Sequence, residues 1–124
     1  MRSQQIPRAE WARFFRAFSE RHEEWLMSVR IMHPRLGSQI EAKELPLEGI
    51  VADPDGRGPI SIHLGRSASD HIEHDVQNPV QVWVELDDDG AEKAVSIDSS
   101  DGAKTILEFR ATALPEAVDG LTSR

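Results

Sequence analysis

His63, His71 and His74 fall within twelve residues of one another, among Asp70, Glu73 and Asp75. Imidazole and carboxylate are the ligand types of zinc and of non-haem metal sites. The same residues could supply a general base and the carboxylate that orients it. Strand geometry sorts them. Ile60, Ile62 and Leu64 alternate with Ser61 and His63, so an inward apolar set turns His63 outward. In His71–Val76 the inward residues are Ile72 and Val76, together with His74, which leaves His71, Glu73 and Asp75 outward. Antiparallel pairing that keeps both apolar sets inside puts His63 opposite His71 or opposite Glu73. The three histidines do not converge on regular strands. A metal site here consists of His63, His71 and Glu73 on the outer face, with no fourth ligand and no enclosing pocket evident. The other reading is two solvated histidines plus one inward histidine whose ring nitrogens bond to backbone.

No other constellation reaches the same level. Asp87-Asp88-Asp89-Gly90 resembles the start of a calcium loop but lacks the twelve-residue pattern ending in glutamate, and Asp53-Pro54-Asp55-Gly56 fails in the same way. Gly56-Arg57-Gly58 and Gly65-Arg66-Ser67 are too short for phosphate loops. Ser96, Ser99 and Ser100 have no nucleophile-elbow context, and Ser61 points to the face opposite His63. There is no cysteine, which removes disulfides, thiolate metal sites and a thiol nucleophile together. No catalytic residue and no cofactor are expected.

The elements that must position the histidines are short. A chain of 124 residues reads as a single domain over 1–124. Pro7 suits a helix start. Behind it Trp11, Phe14, Phe15, Phe18, His22 and Trp25 fall at steps of three and four, which predicts an amphipathic helix over about 8–24. Strands are expected within about 26–110, separated by turns such as His33–Ser38, Asp53–Gly58 and Asp87–Gly90, with an irregular tail over 111–124. Pro46 cannot donate to a ladder, so Leu45–Ile50 is an edge, a bulge or a sharp bend. In the last hairpin Val95 and Ile97 group with Thr105, Leu107 and Phe109 only if the loop has three residues and a left-handed bulge at Gly102. The expected fold is α+β: the N-terminal helix packed on a strongly bent, mostly antiparallel sheet or small open barrel of about seven short strands. One helix cannot cover both faces of a flat sheet that wide, whereas curling lets the sheet bury its own inner face.

Three of the four phenylalanines and two of the three tryptophans lie in the helix segment, so its stripe must be covered, by the sheet or by a second copy. Trp83 alternates out of phase with Val82 and Val84. It is either buried under the helix or tail, or exposed as an interaction anchor. Net charge is −8, against the balance of a nucleic-acid binder. The charge is also uneven: residues 1–35 carry seven arginines against four glutamates, and the remainder carries seven basic against eighteen acidic residues. A basic helix facing an acidic sheet accounts for this within one chain; head-to-tail assembly is the alternative. No apolar run approaches the ~20 residues of a membrane span, and the N-terminus lacks the apolar core of a signal peptide. A cytoplasmic location with no membrane partner is expected.

The chain also resembles an uncharacterised bacterial family of small proteins, a domain of unknown function. The matching pieces are Ile6-Pro7-Arg8, Glu10-Trp11, Phe14-Phe15, Phe18, Arg21-His22-Glu23 and Trp25, then Leu45-Pro46-Leu47-Glu48-Gly49-Ile50. Further on they are His74 with Pro79, Asp101-Gly102 with Thr105, Leu107, Phe109 and Arg110, then Leu114-Pro115-Glu116 and Val118-Asp119-Gly120. The resemblance implies no activity or partner; it implies that the tail through Gly120 belongs to the domain. A looser likeness, at the level of fold, is to Sm-like small barrels.

Three functional readings follow from these residues. The favoured one is a non-enzymatic, self-associating protein-interaction module using Trp83. The second is a small metal-dependent or hydrolytic protein using His63, His71 and Glu73. The third is an Sm-like nucleic-acid binder, which the acidic balance disfavours.

Overall fold

The computed structural model describes residues 2–67 and 69–111. The aromatic stripe does form a helix, α1 (Trp11–Arg21), entered through a single tight turn over Arg8–Glu10 behind Pro7. Trp11, Phe15, Phe18 and the cap residue His22 are buried, and Phe14 and Trp25 pack partly buried against them. The helix stops earlier than 24 because Glu24 adopts a left-handed backbone (φ +67), the role a glycine usually takes at a helix C-terminus. Two backbone hydrogen bonds hold it there: the Glu24 N–H donates to Leu47 O at 3.0 Å, and the Leu47 N–H donates to Trp25 O at 2.9 Å. The chain then enters a strand at Leu26 almost at once.

Among the described residues eight strands form one open antiparallel sheet, one more than the sequence suggested. They are β1 (Arg2–Ile6), β2 (Leu26–His33), β3 (Gly37–Val51), β4 (Ile60–Leu64), β5 (Ile72–Val76), β6 (Pro79–Leu86), β7 (Glu92–Ser99) and β8 (Lys104–Arg110). The strand order is β1-β6-β7-β8-β2-β3-β4-β5. The unexpected strand is β1, whose first four side chains are all exposed. An edge strand with solvated side chains shows no apolar alternation, and β1 is visible only through its pairing with β6 (Ile6 opposite Val82).

The bend expected near Pro46 lies in β3, which runs unbroken through what reads as two strands. Its first half pairs with β2 and its second half with β4. Register shifts against β2 mark bulges on either side of Val29, where extra β3 residues crowd one side of the ladder and bend it. Glu44 takes positive φ (+52), its N–H donates to Ser28 Oγ at 3.1 Å, and its carboxylate pairs with Arg110. That guanidinium holds the Glu44 carboxyl below the usual carboxylate range.

The bend makes a concave surface. Met27, Val29, Val82, Val95, Ile97 and Leu107 line one wing, and Leu47, Ile50, Ile60, Ile62 and Leu64 line the other, with α1 seated between them. The last hairpin has the expected three-residue loop. Gly102 has φ +91, Ser99 donates to Ala103 O at 2.9 Å, and Val95 and Ile97 stand opposite Leu107 and Thr105. Asp87, at the start of the acidic turn, accepts N–H bonds from Asp89 and Ala91 at 2.9 and 3.0 Å, so it ties the β6–β7 hairpin as a turn residue.

Charge complementarity between helix and sheet is present as a forked pair, Arg21 Nη2 to both oxygens of Glu92 at 2.8 and 2.9 Å, but it is solvent-exposed. Burial outweighs it. Phe15→Ala is expected to cost about 3–5 kcal/mol in urea unfolding, whereas Arg21→Ala should cost less than about 1 kcal/mol. Equal costs would contradict the account of what seats the helix.

Candidate functional site

β4 and β5 pair in the even register that keeps Ile62 inward, so His63 stands opposite Glu73 and Leu64 opposite Ile72. Of the two pairings the sequence allowed for His63, this is the one adopted. His71 sits just before β5, close enough that its ring centroid lies 5.8 Å from that of His63. His63 Nδ1 is 3.8 Å from Glu73 Oε1. One ligand atom each from His63, His71 and Glu73 falls within 4.8 Å of the other two. The structure thus brings together the three residues that strand parity selected. His74 is directed elsewhere, towards Glu41, with Nδ1 at 3.9 Å from Oε1. Its partner is a carboxylate, where a backbone group was expected.

The fourth member of the cluster was not legible in sequence. Leu47 pairs with Leu64 and Gly49 with His63, so Glu48 is the extra residue of a bulge in β3. Its Oε2 lies 3.1 Å from His71 Nδ1. A ring N–H donated to a carboxylate leaves Nε2 as the ligating nitrogen, the usual arrangement behind a metal-bound histidine. The only sequence signal was Pro46, which marked a bend without saying which residue would be extruded.

The β4–β5 loop holds His71 in place. Gly65 has φ +136, and a Cβ there would lie 2.8 Å from both Asp70 O and His71 Cα. Only glycine tolerates that approach. Asp70 Oδ1 accepts the N–H groups of Arg66 and Ser67 at 2.7 and 2.8 Å. Its carboxyl is held below the usual carboxylate range, first by the Ser67 N–H and then, against desolvation, by that of Arg66. A depressed carboxyl stabilises the fold fully above the ordinary carboxylate range, and that contribution is lost as pH falls through the depressed value. Beside the cluster a cavity of about 750 Å³ is lined by Glu23, Glu24, Pro46, Glu48, Gly65 and Arg66, among others, so Glu48 faces both.

A tetrahedral zinc ion at ~2 Å from each donor would draw the ligand atoms to roughly 3.3 Å apart. The required movement is small for half-exposed side chains: His63 is 29% and Glu73 48% exposed. The donor set therefore fits a borderline-soft divalent cation such as zinc.

Trp83 lies on the face of β6 away from α1, half-buried between Gln5 of β1 and Ser96 of β7. Burial under the helix is thereby corrected; the tail from 112 lies outside the described residues. The same cross-strand row continues through Ile106 and Arg30 to Ile40, which is 67% exposed.

Gly65→Ala is expected to lower stability by about 1–3 kcal/mol and to displace the His71 ring resonances in an NMR spectrum while leaving those of His33 unmoved. Unchanged His71 resonances would show that the loop does not position the cluster.

No helix among the described residues is long and apolar enough to cross a membrane. No curated protein and no solved structure matches the chain. One family model does match, over residues 2–117, nearly the whole length. On that match the chain belongs to the Family of unknown function (DUF5335).

Proposed function

We propose that this protein binds a divalent transition-metal ion, zinc by preference, through His63, His71 and Glu73. The observation that carries the reading is the convergence of three ligand atoms within 4.8 Å from two adjacent strands and the loop between them. Glu48, bonded to His71, supports it as the outer carboxylate that orients the ring. The site is read as a binding site, since half-exposed ligands on an outer sheet face have no walls to exclude water from a reaction. The absence of cysteine agrees with a reducing, cytoplasmic setting.

A second reading, a self-associating interaction surface on the outer sheet face, draws on Trp83, Ile106, Ile40 and Met32, of which Ile40 and Met32 are the most exposed. It is tested by Trp83→Ala: weaker self-association supports it, and an unchanged solution mass removes it. An Sm-like nucleic-acid role gains no support from a chain of net charge −8.

The metal reading is tested by isothermal titration of the EDTA-treated full chain with zinc. One ion per chain is expected. His71→Ala should abolish measurable binding, and Glu48→Gln should weaken it by about 10–100-fold. No uptake, or uptake indifferent to His71→Ala, would overturn the proposal.

A further inference from the structure

Among the described residues the ligand set is one donor short of a closed tetrahedral site, and its position in the sheet shows where that donor can come from. β5 ends the strand order, so one of its edges has no strand partner among the described residues. Glu73 lies on that strand, and His71 immediately precedes it. Asp75, on the same outer face as both, is exposed and joins no ligand cluster among the described residues: its cross-strand neighbour is Ser61.

We infer that zinc gates the pairing of two copies through β5, and that Asp75 of the second copy completes each site. This rests on the metal reading above. An unpaired strand edge is a ready template for another strand. Two copies meeting there around a two-fold axis must pair antiparallel, because such an interface is isologous. Registers in which paired residue numbers sum to an even value keep Ile72, His74 and Val76 on one face of the joined sheet and His71, Glu73 and Asp75 on the other. In the register centred on Glu73, Asp75 of the second copy stands directly across from His71. Side chains so placed have Cβ atoms about 4.5–5.5 Å apart, within reach of a shared ion. Each dimer then holds two sites, each with His63, His71 and Glu73 from one copy and Asp75 from the other.

The same register explains why the metal is required. It sets the two Glu73 carboxylates opposite each other, with an Asp75 on each flank. Like charges directly opposite across a ladder destabilise pairing. Each chain also carries net −8. Without metal, the acids blunt the edge in the way charged side chains usually protect edge strands. A divalent cation in each cluster offsets the charge of one Glu73 and one Asp75 and converts repulsion into shared coordination. Gly65 and Asp70 hold His71 at the start of the strand in readiness for this.

The test is the solution mass of the full-length chain by light scattering, in EDTA and then with one equivalent of zinc, alongside zinc titration calorimetry. A monomer in EDTA and a dimer in zinc are expected, with self-association strengthened by at least on the order of tenfold, a usual size for coupling between two binding events. Asp75→Asn should still bind zinc but lose most of that strengthening. His71→Ala should lose both zinc binding and dimerisation, and Trp83→Ala should keep both. Zinc uptake with the mass remaining monomeric would overturn the gating and leave the metal site standing. Failure to bind zinc at all would overturn the metal reading and the gating with it. A dimer equally strong in EDTA, or an Asp75→Asn chain that dimerises as well as the parent, would also overturn the gating.

Discussion

The architecture depends on one strand serving two ladders. β3 is fifteen residues long and bends at Glu44–Pro46 so that its first half extends the wide wing and its second half starts the narrow one. Bulges are the means of bending, because each extra residue makes β3 longer than the partner strand it pairs with. The bend has two consequences. It creates the concave surface that covers the aromatic stripe of α1, and it carries β4 and β5 out as a small wing with a free edge. The bulge at Glu48 belongs to the same strand and sets a carboxylate against His71. The core and the candidate site therefore share a cause.

The distribution of charge follows from this arrangement. Arg21 reaches Glu92 from the helix, and Arg30 lies 3.6 Å from Glu108 across the β2–β8 ladder, so part of the N-terminal excess of arginine and part of the later excess of acid meet within the chain. Arg8 is spent on Gly56 O at 2.6 Å and on the face of Trp11, at 4.4 Å from the ring. Exposed pairs of this kind add little to stability. They orient elements whose attachment comes from buried Trp11, Phe15 and Phe18.

Much of this was legible in the residues because it rests on periodicity. Steps of three and four placed the helix face. Alternation placed β4, β6 and β7, and parity alone separated His74 from His63, His71 and Glu73. Gly102 was read correctly because only a left-handed residue in a three-residue loop reconciles the two apolar sets of the last hairpin. What escaped reading rests on long-range contacts. β1 is polar along its exposed length and becomes a strand only by lying against β6. The end of the helix at Arg21 depends on the left-handed Glu24, which a bond to Leu47 holds, and carries no local glycine signal. Glu48 reaches His71 through a bulge whose position is set by the pairing of β3 with β4, which no local pattern encodes. Trp83 was correctly seen to oppose the core of its own strand, but the side on which the helix lies is a property of the whole sheet.

Strand register brings His63, His71 and Glu73 together and a β3 bulge sets Glu48 behind His71, the arrangement proposed as a metal site. Anomalous X-ray diffraction at the zinc edge, from crystals grown with the metal, tests it most directly. The account predicts a single strong peak about 2.0–2.2 Å from a ring nitrogen of His63, a ring nitrogen of His71 and a carboxylate oxygen of Glu73. An empty cluster, or a peak held by other side chains, would contradict it.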